Sequence, residues 1–401
     1  MSNDKKRTVY ADNAATTAMS DVAVAAMTAY LKDVYGNPSS LHTAGQVAKE
    51  HLEAARERIA ARLNALPSEI YFTSGGSEAD NQAIRSAAEN GAKRGKKHIV
   101  TTAFEHHAVL HTVKKLAREG FEVTYLDVHQ SGVITPEQVK EAIRDDTALV
   151  TVMFANNEIG TIQPIAEIGA VCRERKVVFH TDAVQAVGHV PVDVKAMNID
   201  MLSLSAHKFH GAKGVGALYV RRGVPISTFI EGGAQERGRR AGTENLAGIA
   251  SMAAALDDAC DNMEKNAKKI AKLRDKIIEG LAVIPHSRLN GDRDRRLPGI
   301  VNMCFEGIEG ESLLLYLDDM GICASSGSAC TSGSLDPSHV LLALGLPHEV
   351  AHGSLRISLS EYNTPKDADA IIAAVPKVVG YLRSISPVWE SLEKGERKFI
   401  L

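Results

Sequence analysis

A lysine that could bind a carbonyl compound covalently ends an apolar, strand-like run. The run finishes with Ser205-Ala206-His207-Lys208, and Gly211 follows shortly after it. In the functional interpretation, Lys208 forms a Schiff base while Ser205 and His207 hold a phosphate group. The alternative is a surface lysine in a turn, which is the common position for this residue type. The local sequence leaves both interpretations open.

A carboxylate directly follows a second strand-like run. Asp182 comes after the mostly apolar residues 177–180, and Gln185 stands three residues further on. A pyridoxal ring needs an anion beside its ring nitrogen, because the protonated ring is the electron sink of that cofactor. Asp182 suits this position, but it could equally be the N-cap of a helix that follows it.

A glycine pair and a histidine add to the candidate cofactor site. Gly75-Gly76-Ser77 stands between a strand-like run and a predicted helix, and amides at a helix N-terminus bind phosphate. Gly-rich turns before helices are common, so this signal is weak alone. His106 could stack on a cofactor ring and transfer protons near neutral pH.

A metal site is the competing interpretation of the neighbouring histidines. His107 and His111 stand four residues apart, on one face of a predicted helix. No Glu occupies the spacing of an HExxH zinc motif, so we expect no metal here.

Cys330 stands in a stretch, residues 323–334, that consists almost entirely of small residues. Such residues cannot fill a core, so we predict an exposed, mobile loop. An accessible thiol can act as a nucleophile or carry a persulfide. The other cysteines have apolar neighbours and are predicted to be inert; they are Cys172, Cys260, Cys304 and Cys323.

Arg356 is the one charged residue in the strand-like run 353–358. A buried arginine needs a carboxylate, and an amino-acid substrate supplies one with bidentate geometry. A structural ion pair with another side chain explains the same pattern equally well.

The elements that must position these residues alternate between strands and helices from about residue 20 to about residue 260. Strands are predicted at 71–73, 98–101, 123–126, 149–153, 177–180 and 201–204, and amphipathic helices at 47–63, 107–118 and 165–175. This alternation favours an α/β fold with a mostly parallel sheet that is covered by helices on both faces. Ligands of such sheets bind beyond the carboxyl ends of the strands, where the candidate residues fall.

A second, smaller unit with mixed strands and helices is predicted after a long helical pattern at residues 243–281. We predict a large domain over residues 16–260. Residues 1–15 and 261–401 form the predicted small domain, which carries the cysteine loop at about 323–334. The charged residues 390–401 are predicted to form a frayed tail.

Composition excludes several classes of function. The 401 residues carry a net charge of −3 with acidic and basic residues interleaved, so nothing favours binding to nucleic acid or to an anionic membrane. We find neither the apolar core of a signal peptide nor an apolar run of roughly 18 residues, so a cytoplasmic location is expected. The five cysteines show no CxxC spacing, which argues against disulfides and structural zinc.

Taken together, these motifs resemble the cysteine desulfurases of the NifS/IscS type, within the class V aminotransferase-like pyridoxal-phosphate enzymes. The resemblance covers nearly the whole chain. Its motifs are Asp-Asn-Ala-Ala-Thr-Thr at 12–17, Gly-Asn-Pro-Ser-Ser at 36–40, Ala-Asn-Asn-Glu at 155–158, Thr-Asp-Ala-Val-Gln at 181–185, Ser-Ala-His-Lys at 205–208, the segment 235–245 and the Cys330 loop. The resemblance implies the type I fold of pyridoxal-phosphate transferases, with a large domain and a smaller C-terminal α/β domain.

The resemblance also implies roles for individual residues toward pyridoxal 5′-phosphate. Lys208 would bind the cofactor covalently, Asp182 would pair with the ring nitrogen, and His106 would stack on the ring. Further contacts with the ring and phosphate are expected from Gly76, Ser77, Asn157, Gln185, Ser205 and His207. Thr243 is expected to reach the phosphate from the partner subunit, which implies a homodimer with shared sites.

The implied substrate is L-cysteine, which becomes L-alanine. Asn13, Asn157 and Arg356 would hold its carboxylate, and Lys208 or His106 would remove the α-proton. The Cys330 thiolate would then attack the substrate sulfur and keep it as a persulfide.

Finer features resemble the nitrogen-fixation branch of the family. They are Arg-Arg-Ala-Gly-Thr-Glu-Asn at 239–245 and Ser-Pro-Val-Trp at 386–389. We therefore expect sulfur delivery to a NifU-like scaffold for iron–sulfur clusters, with nitrogenase as a destination. The rival functions are a selenocysteine lyase, another class V aminotransferase-like activity, and a sulfur-relay protein without catalysis. Cys330 argues against the aminotransferase, and the intact Lys208 argues against the inactive relay.

Overall fold

The computed structural model describes residues 8–326 and 337–401. The helices within those ranges are Asp21–Lys32 (α1), Thr43–Arg62 (α2), Gly76–Ala92 (α3), His107–Arg118 (α4), Pro136–Ala142 (α5), Ile165–Arg175 (α6), Gln235–Gly238 (α7), Leu246–Asp261 (α8), Met263–Leu281 (α9), Gly310–Asp319 (α10), His339–Ala343 (α11), His348–His352 (α12), Pro365–Ser384 (α13) and Pro387–Glu393 (α14). The strands are Val9–Tyr10 (β1), Ile70–Thr73 (β2), His98–Thr102 (β3), Glu122–Leu126 (β4), Thr147–Thr151 (β5), Val178–Asp182 (β6), Met201–Ser205 (β7), Gly216–Val220 (β8), Ser287–Leu289 (β9), Ile300–Phe305 (β10), Ile322–Cys323 (β11) and Ser354–Ser358 (β12).

The largest sheet in the described part of the chain has seven strands in the order β2-β8-β7-β6-β5-β3-β4. The pairs from β7 through to β4 are parallel, and β8 is antiparallel to both of its neighbours. The predicted α/β fold with a mostly parallel sheet is therefore confirmed. β8, the strand that links β2 to the parallel part, was not predicted from the sequence.

Helices cover both faces of this sheet. Alternate residues of a strand point to opposite faces, so β5 sends Val150 into one hydrophobic cluster and Leu149 into another. In β7, Leu202 belongs to the cluster of Val150 and Met201 to the cluster of Leu149. The cluster of Val150 includes residues of α2, α6 and α8, and that of Leu149 includes residues of α3 and α4. The strands β5, β7 and β8 are buried at every residue, which explains their mostly apolar sequences, whereas the edge strand β4 is partly exposed.

A separate hydrophobic cluster lies in the C-terminal half. It joins Val9 of β1 to the apolar faces of α9, α10 and α13 and to the strands β10 and β12. The strand order here is β12-β10-β9, with β1 paired to β11 in parallel. The boundaries of the two domains, at residues 15 and 260, stay a prediction.

The C-terminal tail differs from its prediction. Phe399 stacks on His286 with ring centroids 3.7 Å apart, and the backbone amides of Ile400 and Leu401 donate to the carboxylate of Glu306. The prediction of a frayed tail was wrong, because one aromatic ring and two amides among the charged residues find partners in His286 and Glu306.

Within the described ranges, no single helix has the length and apolar character that crossing a membrane requires. The adjacent helices α13 and α14 meet those criteria of length and composition only as a pair, with a bend of 83° between them.

Candidate active site

A cavity of about 390 Å³ lies beyond the carboxyl ends of β5, β6 and β7. Ten of the predicted site residues line it: Gly76, Ser77, His106, Asn157, Asp182, Gln185, Ser205, His207, Lys208 and Arg356. Residues that are far apart in the sequence therefore meet at the edge of the sheet where parallel α/β folds bind ligands.

Lys208 ends a short 3₁₀ turn that continues β7 into the cavity. Its Nζ donates hydrogen bonds to the backbone oxygens of Ala14 and Ala15, at 2.7 and 2.8 Å. The N-terminal segment thus holds the amine at the cavity wall. The surface-lysine alternative is excluded by this position.

Asp182 is the last residue of β6 and is buried. Its carboxylate accepts a hydrogen bond of 2.9 Å from the amide of Val184. Burial raises the pKa of Asp182 to about 6, while the Val184 amide and the charge of Lys208 oppose that rise. No α-helix begins at the turns that follow within residues 183–189, so the helix N-cap alternative is not realised.

The phosphate-binding residues are predicted where α3 begins. Gly75 has a φ of +154°, and a side chain at Gly76 would place its Cβ 2.5 Å from Cγ2 of Val184. This close packing brings the first turn of α3, with its unpaired amide groups, to the cavity wall. Ser205 lines the same cavity from the end of β7, and His207 lines it from the 3₁₀ turn that follows. Hydroxyl, imidazole and amide donors therefore converge there, which suits an anionic phosphate group.

His106 is the N-cap residue of α4, and its Nδ1 accepts a hydrogen bond of 3.1 Å from the amide of Ala108. Burial lowers the pKa of His106 to about 4, helped by the charges of Lys208 and His339. The ring is therefore neutral at pH 7. Because Nδ1 accepts, the ring proton is on Nε2.

His107, next to His106 in the chain, packs against His111 and against His339, which comes from a distant segment. The ring centroid of His107 lies 5.0 Å from that of His111 and 4.6 Å from that of His339. The Nε2 of His339 donates to the backbone oxygen of Glu105 at 2.9 Å, since that oxygen can only accept, so Nε2 carries the ring proton. No local signal in the sequence could have indicated His339.

Arg356 lies on β12, is 2% exposed and lines the cavity. Its Nη2 contacts the carboxylate of Asp12 at 2.8 Å, and its Nη1 donates to the backbone oxygen of Asn157 at 3.1 Å. Its Nε is buried and has no hydrogen-bond partner among the described residues. Arg356 thus has an ion pair with the protein and still has donors left at the cavity.

Of the other predicted residues, Asn13 and Thr243 do not line this cavity. Asn13 lies beside it, where its side-chain amide donates to the backbone oxygen of Ser358 at 2.9 Å. Thr243 is exposed on the loop before α8. Cys330 and most of the loop 323–334 lie outside the described residues.

Asp80 is a site residue that the sequence analysis missed. It lies in α3, is 1% exposed and lines the cavity near Asp182. The available signal was an acidic residue within the otherwise apolar stripe of α3, which continues with Ala83, Ile84 and Ala87.

Comparison with known proteins gives a consistent result. The family model for class-V aminotransferases matches residues 9–371. The cysteine desulfurase IscS of Clostridium botulinum is 54% identical over 393 residues, which cover 97% of this chain and 99% of the relative. The cysteine desulfurase IscS of Methanosarcina thermophila is 53% identical over 384 residues, covering 96% of this chain and 95% of the relative.

A solved structure, described as a NifS-like protein, superimposes with a TM-score of 0.88 at 39% identity. The match covers 94% of this chain and 100% of that structure. These families depend on pyridoxal 5′-phosphate. From the extent of these matches, the chain belongs to the class-V aminotransferase family and, within it, to the cysteine desulfurases of the IscS and NifS-like group.

Proposed function

We propose that this chain converts L-cysteine to L-alanine and holds the released sulfur as a persulfide on Cys330. The carrying observation is the single cavity that joins the amine of Lys208, the buried carboxylate of Asp182 and the neutral imidazole of His106. The identity of 54% with a named cysteine desulfurase supports the choice of substrate. The role of Cys330 rests on its sequence context alone.

The cavity residues fit pyridoxal 5′-phosphate at both ends. The start of α3, with Gly76 and Ser77, would hold the phosphate together with Ser205 and His207. Asp182, which is buried, would pair with the ring nitrogen. The remaining contacts would come from His106 on the ring face, Asn157 and Gln185 at ring substituents, and Thr243 of a second copy. When bound, the cofactor supplies an electron sink for charge that develops on the substrate.

Two groups of the chain are suited to move protons. The Nζ of Lys208 would hold the cofactor covalently and, when it is a free amine, could accept the α-proton of the substrate. His106 has a different role, because its Nδ1 already accepts a hydrogen bond and its Nε2 carries the proton. We infer that His106 donates from Nε2 to the substrate, and that Lys208 is the base.

The sulfur transfer balances without a further reagent. The bond between Cβ and sulfur of the substrate breaks while a sulfur–sulfur bond to Cys330 forms. The substrate carbon keeps the electron pair and takes a proton to become the methyl group of alanine. The products are L-alanine and one persulfide.

The substrate carboxylate is proposed to bind at Arg356, with Asn157 and Asn13 beside it. The guanidinium retains donors beyond the contacts with Asp12 and Asn157, and Nε is one of them. A carboxylate in the cavity can therefore bind Arg356 while the ion pair with Asp12 persists.

The test compares wild type with Lys208→Ala and Cys330→Ser during incubation with L-cysteine and a thiol reductant. Wild type should show the visible absorbance of the lysine-bound cofactor and should release alanine and sulfide in equal amounts. Lys208→Ala should lose that absorbance. Cys330→Ser should keep the absorbance but form no sulfide. Full sulfide release by Cys330→Ser would exclude the persulfide, and an inactive wild type with bound cofactor would direct the search to selenocysteine.

We further propose a homodimer, a cytoplasmic location and delivery of sulfur to a NifU-like scaffold for iron–sulfur clusters. Thr243 supports the dimer, because it is exposed and does not line the cavity of its own chain. The motifs at 239–245 and 386–389 favour the nitrogen-fixation branch, with nitrogenase as the destination, whereas the relatives named above are IscS proteins. Transfer of labelled sulfur to a NifU-like scaffold, compared with transfer to an IscU-type scaffold, would distinguish the two branches. A fully active monomer would exclude the shared site.

A further inference from the structure

A second carboxylic acid lies at the buried end of the cavity, beside Asp182. One oxygen of Asp80, one oxygen of Asp182 and one ring nitrogen of His106 all lie within 4.8 Å of one another. Both acids are buried, with exposures of 1% and 6%. The Oδ1 of Asp80 has no hydrogen-bond partner among the described residues.

The base on the other side of Asp80 is neutral. The Nε2 of His180 lies 3.6 Å from Oδ1 of Asp80, but burial lowers the pKa of His180 to about 3. The ring of His180 is instead held by hydroxyl groups, Thr151 at 2.8 Å from Nδ1 and Ser203 at 3.0 Å from Nε2. The approach of Asp80 to His180 is therefore not an ion pair at neutral pH.

The other titratable neighbours of Asp80 are acidic or neutral, or their charge acts on Asp182 and His106 instead. Burial raises the pKa of Glu105 to about 8, and His106 is neutral. The positive charge of Lys208 acts on Asp182 and His106. In the described part of the chain, Asp80 therefore has no cation to balance a negative charge.

Two adjacent buried carboxyl groups cannot both ionise cheaply, so one keeps its proton. Asp182 has what an anion needs, because the amide of Val184 donates to it and Lys208 is near. Burial and then the charge of Asp182 raise the pKa of Asp80 well above its ordinary value, against a smaller contribution from the hydroxyl of Ser203. The proton of the pair is on Asp80.

We propose that Asp80 is a positioning residue that stays a neutral carboxylic acid, so that Asp182 is the single anion facing the ring nitrogen of the cofactor. One negative charge then matches the one positive charge of a protonated ring. An ionised Asp80 would leave an uncompensated charge in the apolar interior. This inference rests on the proposed function, since it takes Asp182 as the partner of the ring nitrogen.

The direct test is infrared spectroscopy of the cofactor-free protein at neutral pH, where protonated and ionised carboxyl groups absorb separately. The difference between wild type and Asp80→Asn should be the loss of a protonated-carboxyl band. Asp182→Asn should lose a carboxylate band, as should the surface control Asp33→Asn. Loss of a carboxylate band from Asp80→Asn would overturn the proposal. Because the two acids titrate as a pair, the acid that remains can change its protonation state in either variant, so the spectra are read together with the cofactor affinities of both variants.

Affinity for pyridoxal 5′-phosphate gives a second readout. Asn has the shape and neutrality of a protonated Asp, so Asp80→Asn should keep the dissociation constant within about two-fold. Asp182→Asn removes the anion and should weaken binding by on the order of ten-fold or more. Equal weakening by both substitutions would show that Asp80 is charged. Wild type that binds no cofactor would instead refute the proposed function.

Discussion

Arg356 in the cavity and Arg56 on α2 are both buried and both ion-paired, yet their surroundings differ. Arg56 makes two parallel hydrogen bonds of 2.8 Å to Glu236, and further bonds connect it to Glu53 and to the backbone oxygen of Ile70. It also lies over the ring of Phe72, 4.5 Å from the ring centroid. Nearly all its donors are used within the protein.

Arg356 uses few of its donors. A guanidinium has five N–H groups, and among the described residues Arg356 directs one to Asp12 and one to Asn157. Asp12 is more exposed than Glu236, with side-chain exposures of 21% and 2%. A structural arginine and a ligand-binding arginine can therefore both be buried. The number of guanidinium N–H groups without a partner in the protein distinguishes them.

The largest effect is expected for Arg56→Gln. This substitution leaves Glu236 buried without its cation, so the free energy of unfolding should fall by about 3–5 kcal/mol. The nearby control Arg58→Gln breaks an exposed pair with Asp257 and should cost about 1 kcal/mol or less. Urea unfolding measures both. Equal stability losses for the two variants would contradict a structural role of the ion pair between Arg56 and Glu236.

Arg356→Gln should act on catalysis instead. The loss of charged donors for the substrate carboxylate should lower kcat/KM for L-cysteine by about one hundred-fold. The free energy of unfolding should fall by less than it does for Arg56→Gln, since Asp12 is left partly in contact with water whereas Glu236 would be buried. Steady-state alanine formation together with urea unfolding distinguishes the two effects. A stability loss as large as that of Arg56→Gln with unchanged kcat/KM would identify Arg356 as structural.

His210 provides an ion pair that depends on pH, unlike those of the arginines. Its Nε2 lies 3.3 Å from the carboxylate of Glu361. Burial disfavours the protonated imidazole, but the hydrogen bond and charge of Glu361 outweigh burial, so the pKa of His210 is raised. A raised folded-state pKa contributes stability that is full below the ordinary value and is lost as pH rises through the raised value. His210→Gln should therefore cost about 1 kcal/mol near pH 5.5 and less near pH 8.5. Equal costs at both pH values would contradict the charged pair.

The smallest effect is expected for Asp12→Asn. Weakening the ion pair leaves Arg356 its bond to Asn157 and frees a donor, so KM for L-cysteine should stay within about three-fold of wild type. A loss of kcat/KM comparable to that of Arg356→Gln would mean that Arg356 acts only through Asp12.

Site residues were predicted most reliably where a polar residue directly follows a strand-like run. Asp182 and Lys208 were found because each directly follows an apolar run, and ends of parallel strands meet in space. Asp80 was missed because it faces the cavity from within a helix, where one acid among apolar residues is easily taken for a surface position. His339 is distant from His107 in the sequence, and their contact depends on the complete fold.

Partners that are remote in the chain also explain the errors in the fold. β8 is short, and its pairing between β2 and β7 cannot be read from its own five residues. The tail was predicted to fray because its charges are visible in the sequence, whereas the contacts of Phe399 with His286 are not. The finer placement of the chain near the nitrogen-fixation branch stays a prediction.

The most direct test of the proposed function is the intact mass of the holoenzyme after L-cysteine is added without reductant. Mass increases in steps of one sulfur atom, assigned to Cys330 by peptide mapping, are expected together with release of L-alanine. Cys330→Ser should gain no such mass. Alanine release with the added sulfur on another cysteine, or with no sulfur on the protein, would exclude Cys330 as the sulfur carrier.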